Sequence, residues 1–234
     1  MDTKTRHALK TNNFAEAAAS SVSWLSGHRS GVLRWIISGT VCVLLVVVAL
    51  ITYYVRSAAA ETALGAALDT YSSPLAQPGA PADSNVYTTA TDRSNAANQQ
   101  FYAVADKYGW LEEGVKARYF AGITDSELNR NAQAETELKA VSGGWNRNLS
   151  SLAKLALAGL YHQTNRDSQA IDLYNELAAK PSDTVPATIA QLDLGDLYAA
   201  SGKQDQARAL WAKVKDADKE GAAGQIASEK LDGK

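Results

Sequence analysis

Reactive and soft side chains are scarce: the 234-residue chain has one cysteine, one methionine and three histidines. A single cysteine, Cys42, excludes an internal disulfide framework and a cysteine-built zinc site. Three scattered histidines (His7, His28 and His162) leave little material for a metal cluster. An excess of one charge is also missing. Lys+Arg 23 against Asp+Glu 25 gives a formal net charge of -2, with no electrostatic footprint for a nucleic-acid partner. No nucleophile motif, phosphate-binding glycine loop or metal-ligand spacing occurs. Glu112 and Glu113 are adjacent, so on a helix they point to different sides and do not converge on one substrate. His162 has no Ser, Cys or Asp partner at a recognisable spacing. Asn148-Leu149-Ser150 is a glycosylation sequon by pattern, relevant only in a eukaryotic secretory pathway. The expectation is a binding protein without enzymatic activity and without a cofactor.

What the chain does have is one long apolar run. Trp35 to Val55, WIISGTVCVLLVVVALITYYV, is 21 residues without a charge, bounded by Arg34 and Arg56. As a helix it spans roughly 31 Å, against ~30 Å for the hydrocarbon core of a bilayer. Trp35 at one end and Tyr53 and Tyr54 at the other take the places of interfacial aromatics, with Cys42 inside the run. A core helix of a soluble protein rarely carries so long a charge-free stretch. A cleaved signal peptide is the other alternative, since Ala58-Ala59-Ala60 offers small residues. The long preceding segment and the length of the run favour an uncleaved signal anchor, because a signal-peptide apolar region has about 7–15 residues.

The flanks set the expected orientation. Residues 1–34 hold Lys4, Arg6, Lys10, Arg29 and Arg34 against Asp2 and Glu16, while the far side offers Arg56 and then Glu61 and Asp69. The positive-inside bias keeps the N-terminus cytoplasmic and exports an acidic remainder. Within the first segment, residues 11–26 could form a short helix with Phe14, Ala18, Val22 and Leu25 on one face. It would rest on the inner leaflet or dock a membrane partner. Residues 56–71 are rich in helix formers and extend the membrane helix outward. Residues 72–89 hold three of the five prolines and read as a loop. The expected division is 1–34 cytoplasmic, 35–55 span, 56–90 membrane-proximal helix and loop, and 91–234 an all-helical exported domain.

That last domain repeats itself. AGLYHQTNRDSQAIDLYNEL (158–177) aligns with GDLYAASGKQDQARALWAKV (195–214) at an offset of 37 residues. Ala158 then matches Gly195, Tyr161 matches Tyr198, Ala170 matches Ala207 and Tyr174 matches Trp211. An upstream copy places Gly122, Ala134, Leu138 and Val141 in the equivalent positions, with Asp125 where the tyrosine belongs. A fourth trace puts Ala97, Phe101 and Val104 one period earlier still. The pattern resembles the tetratricopeptide repeat, a helix–turn–helix unit, with an α-hairpin bundle as the plainer alternative. In such a unit the small residue of the first helix (Ala158, Gly195) meets the alanine of the second (Ala134, Ala170, Ala207). The aromatic one turn later fills the gap towards the next repeat. Gly202, with Asn165 and Asn129 in the same place, supplies a left-handed residue ending the first helix. Gly143-Gly144 ends another helix, and residues 218–234 form a closing helix with Ile226, Ala227 and Leu231 inward.

The resemblance implies a binding groove lined by the first helices. Counting from repeat starts at Val115, Ser151 and Thr188, it would be lined by Lys116, Tyr119, Ile123 and Ser126, by Leu152, Leu155, Gly159 and His162, and by Ile189, Leu192, Asp196 and Ala199. The surface is mainly apolar and suits an apolar helix or unfolded apolar segment. The C-terminal helix or the 72–89 loop is the rival occupant.

One architecture joins these parts: a short cytoplasmic segment, one span, a proline-containing loop and an exported repeat domain. It resembles the bacterial YfgM-like proteins, ancillary subunits of the SecYEG translocon. The matching features are GDLYAASGKQDQARALWAKV, the aromatic-flanked anchor, and FAEAAASSVSWLSGHRSGVLRWI before it. The resemblance implies an inner-membrane protein with a periplasmic domain. It implies contact with the translocon and with a membrane-anchored prolyl isomerase, PpiD, and transfer of exported chains to periplasmic chaperones. A scaffold subunit of another envelope assembly or secretion machine is the alternative.

Overall fold

The computed structural model describes residues 29–76 and 87–233. The short helix expected at 11–26 and most of the proline-containing loop lie outside them. The described residues are all-α, in nine helices: α1 (Arg29–Ser72), α2 (Ala90–Tyr108), α3 (Glu112–Glu127), α4 (Asn131–Ser142), α5 (Arg147–Gln163), α6 (Asp167–Ala179), α7 (Ala187–Ala200), α8 (Gln204–Ala217) and α9 (Ala222–Leu231). The chain divides into two units, with the boundary after Arg56.

The described part of the first unit is the apolar stretch of α1. Its side chains, from Trp35 through Leu44, Leu45 and Val48 to Val55, are exposed. None of its most apolar 18-residue window is buried by other residues. A helix this apolar with no protein against it has the length and composition to cross a membrane. Thr40 and Thr52 donate their hydroxyls to the carbonyls of Ile36 and Val48, at 2.9 and 2.8 Å, so both hydroxyl protons are satisfied within the helix. The rings of Tyr53 and Tyr54 meet edge to face at 5.9 Å.

The second unit, Ser57–Lys234, is a stack of helical hairpins in which each helix packs chiefly on its chain neighbours. Each turn is built by local chemistry. The Thr89 hydroxyl accepts from the Asp92 amide at 3.0 Å to start α2, and Asn146 Oδ1 accepts from the Leu149 amide at 3.1 Å to start α5. The hairpins α3–α4, α5–α6 and α7–α8 all turn in the same way. Asn129, Asn165 and Gly202 have φ of 59°, 59° and 75°. Behind them the amides of Arg130, Arg166 and Lys203 donate to the carbonyls of Asp125, Tyr161 and Tyr198 at 2.8, 2.7 and 2.8 Å. The left-handed residue donates inside that ring to Ser126, His162 and Ala199. This double closure is the Schellman motif, and it satisfies the last carbonyls of each first helix.

The interior follows the repeat. Ala134, Ala158, Tyr161, Ala170 and Tyr174 are buried in one cluster, against which Tyr198 packs, and Ala207 and Trp211 are buried in the next. A Cβ on Gly195 would lie 2.6 Å from the Trp211 indole nitrogen, and one on Gly122 would lie 2.8 Å from Leu138. At Gly195 and Gly122 the second helix therefore presses in with Trp211 and Leu138, four residues beyond the alanines expected to make that contact.

Ile226, expected on the inner side of the closing helix, is exposed, and Ala223 is buried beside Ala227 in its place. Two further features differ from expectation. The packed unit starts earlier than residue 91. Ala60, Leu64 and Ala67 on the outer part of α1 are buried with Ala97, Phe101, Val104 and Leu111. The end of the long helix is thus the first helix of a further hairpin whose second is α2. Composition alone marked it only as a good helix. The second difference is Asp125. It is buried, and it is held rather than misplaced. Asn98 Nδ2 donates to its Oδ1 at 3.0 Å, Tyr102 donates to its Oδ2 at 2.6 Å, and Arg130 lies 3.6 Å away. Arg130 also donates to Asn98 and Asn95, at 3.1 and 2.6 Å. The cation five residues on recurs in the hairpins α3–α4, α5–α6 and α7–α8. Arg166 stacks over Tyr161 at 4.3 Å and Lys203 over Tyr198 at 5.5 Å, so Asp125 meets by charge the partner that tyrosine meets by its ring face.

Candidate interaction face

The candidate face is carried by the first helices α3, α5 and α7. On α3, Lys116 is half-exposed and pairs with Glu112 at 3.0 Å, one helical turn back. Tyr119 and Ile123 are partly buried against the main cluster, and Tyr119 meets Phe120 edge to face at 5.2 Å. Burial raises the Tyr119 phenol, which therefore stays a neutral donor. On α5, Leu152 and Leu155 are half-buried against Leu177, Val185 and Ala190. They keep an outer edge and form the apolar centre of the face. Ser126 and Gly159 are also partly open.

Towards its last repeat the expected face changes character. Leu192 is buried with Ala207, Trp211, Val214, Ala223 and Ala227, so it is core rather than groove. Trp211 and α9 together cover it, and the sequence periodicity could not foresee that the closing helix would reach this far. Ile189 and Ala199 pack at the margin of the same cluster. Asp196 is already engaged: Lys230 lies at 3.0 Å and the Trp211 indole donates to it at 3.1 Å. His162 sits at the end of α5, where its Nδ1 is 2.8 Å from Asp167, which also accepts from Ser201 at 3.1 Å. The Asp167 carboxyl is held below its ordinary range, first by the His162 contact. Asp167 thus ties the α5–α6 turn to the α7–α8 turn through Ser201, while His162 braces it within its own turn.

Three groups of residues escaped the sequence reading. Asp193 lies partly buried on α7, and its carboxyl is pushed up to about 6 by burial and by Asp196, with Lys230 opposing. On α2, burial followed by the contact with Asp125 pushes up the phenol of Tyr102. Tyr71, at the end of α1, donates to Glu127, and burial together with that contact pushes its phenol up to about 12. The third group lies at the turns joining successive repeats. Trp110 and Trp145 are 63% and 88% exposed and flank a hollow of about 230 Å³ with Leu111, Val115, Val141 and Leu149; its charged lining, Glu112 and Arg118, is paired with Lys116 and Glu137, each at 3.0 Å. A signal existed in the sequence: Gly109-Trp110 and Gly144-Trp145 are the same dipeptide 35 residues apart.

Comparison with known proteins agrees with this geometry. Residues 33–233 match the tetratricopeptide repeat-like domain family, a match that takes in the apolar helix as well as the hairpins. Neither curated proteins nor solved structures give a match. With most of its length covered, the chain belongs to the tetratricopeptide repeat-like domain family.

Proposed function

We propose that the chain is a membrane-anchored scaffold that captures protein segments on the α3–α5 face. The observation that carries this reading is the row of half-buried apolar side chains, Tyr119, Ile123, Leu152 and Leu155, left open beside a packed interior. Such a row accepts an apolar helix or an extended apolar segment. The family is one of protein-interaction modules, which supports binding rather than catalysis. The apolar stretch of α1 serves as a single inner-membrane span. The basic flank before it favours a cytoplasmic N-terminus, and residues 57–234 then form the exported, periplasmic part. The proposed biological setting is that of an ancillary SecYEG subunit, in contact with PpiD, which passes exported chains to periplasmic chaperones. Support for that setting is the order of parts along the chain: basic segment, aromatic-flanked span, repeat domain.

A photo-crosslinker placed at Tyr119 or Leu155 in membranes, with mass spectrometry of the adducts, tests it. Translocon subunits, the prolyl isomerase or nascent exported chains are the expected captures. Adducts confined to subunits of a different envelope machine would replace the translocon setting and keep the scaffold. Adducts only within the chain itself would mean the face is filled internally, and the reading would fall.

A further inference from the structure

The turns between repeats form an edge of the second unit with its own character. α2 runs antiparallel to the end of α1. Thr70 donates to Gln100 at 3.1 Å, Tyr71 and Phe101 meet at 6.1 Å, and Arg93 donates to the Ser73 carbonyl at 3.0 Å. From Gln100, α2 continues for about 12 Å, back along the helix it packs against. Its last residue, Tyr108, and then Leu111 are buried in the cluster that holds Ala60 and Leu64. The turn bearing Trp110 is therefore at the end of the unit where Ser57 lies, next to the apolar stretch in the chain. The α4–α5 turn, with Trp145, shares the hollow beside it. The α6–α7 turn follows on the same edge, because Arg147 donates to the Pro181 carbonyl and Thr184 to the Asn148 carbonyl, both at 2.8 Å. Between α5 and α6 this edge opens a second hollow of about 320 Å³, where Arg147, Lys154 and Lys180 face a single carboxylate, Glu176. Glu176 is paired with Lys154 at 2.7 Å, which leaves two cations without a carboxylate in that wall.

Exposed tryptophan beside unbalanced cations is the chemistry of a membrane–water boundary: an amphipathic ring prefers the headgroup level, and Lys and Arg meet lipid phosphate. We propose that this edge is a lipid-docking surface, with Trp110 and Trp145 seated at the headgroup–acyl boundary and Arg147 and Lys180 meeting lipid phosphates. It rests on the reading of the α1 stretch as a span. Docking would hold the repeat unit against the bilayer, and would leave the α3–α5 face as the part that varies its occupant.

The test uses the full chain in nanodiscs of phosphatidylethanolamine and phosphatidylglycerol, labelled with 5-fluorotryptophan. Fluorine resonances are assigned by single Trp→Phe variants and recorded with and without a nitroxide-headgroup lipid. Trp35 reports the span and Trp211, buried in the last repeat, reports background. The expected result is that Trp110 and Trp145 lose most of their intensity alongside Trp35, while Trp211 keeps its own. Retention at Trp110 and Trp145 with loss at Trp35 would overturn the docking surface and leave the span standing. Retention at Trp35 as well would overturn the span, and this proposal with it. Lys180→Glu is expected to weaken the loss at Trp145 when phosphatidylglycerol is present, and an unchanged loss would overturn the phosphate contact.

Discussion

Replacing Asp193 by asparagine should stabilise the last repeat at neutral pH and do nothing in acid. Asp193 lies on α7. The groups that act on it are Asp196 on the same helix, which raises it, and Lys230 on α9, which lowers it; Tyr174 on α6 lies within its field. Its carboxyl titrates at about 6 in the fold against an ordinary value of 3.8, with burial the largest cause. A raised carboxyl pKa means that the folded state holds the charge at a cost which the unfolded chain does not bear. The cost is present above pH 6 and disappears as the pH falls through 6 towards 4. A gap of that size corresponds to about 3 kcal/mol at full strength. Asp193 keeps some solvent, so screening reduces the expected gain to about 1 kcal/mol. In a domain of this size that is a rise in Tm of about 2–4 °C. Because stacked repeats open locally, hydrogen exchange of α7–α9 is the sharper assay. Asp193→Asn should slow exchange there at pH 7.5 and match the parent at pH 4. A variant that is neutral or destabilised at pH 7.5 would refute the argument, as would an equal gain at both pH values.

The other predictions concern packing and turns. Asp125→Ala leaves Asn98, Tyr102 and Arg130 without their common acceptor and should cost about 2–4 kcal/mol in chemical denaturation, whereas Tyr102→Phe should cost only about 1. Gly195→Ala forces a Cβ onto the Trp211 indole and should cost about 1–3 kcal/mol, with a change in tryptophan fluorescence as the indole leaves Asp196. Asn165→Gly, at a φ of 59°, should be neutral or stabilising, while Asn165→Ala should cost about 1 kcal/mol in thermal melts. Exposure of the hairpin turns makes both Asn165 variants safe for folding.

Much of the repeat unit was legible because its rules are local. An alanine at a fixed offset, an aromatic four residues on, and Asn or Gly at the turn each report a contact or a backbone angle within one hairpin. The Schellman turns at Asn129, Asn165 and Gly202 were readable for that reason. The fate of Leu192 was not, since its burial depends on Trp211 and α9 arriving together from distant sequence. Nor was Asp125 interpretable: a missing tyrosine looks like decay until Asn98 and Tyr102 are brought to it from the preceding helix. The outer part of α1 posed the same difficulty. Ala60, Leu64 and Ala67 carry a helical pattern, but no pattern names the partner helix.

By itself the sequence determined a scarcity of reactive groups, one apolar helix of bilayer length, and a run of helical hairpins with a common turn. These follow from composition and short-range periodicity, which act within a few residues. Only the tertiary structure decided where the packed unit begins, which first-helix residues remain open at Tyr119 and Leu155, and that two Gly-Trp turns share one edge. Those outcomes depend on which helices share a face, and that is set by burial summed over contacts far apart in the chain.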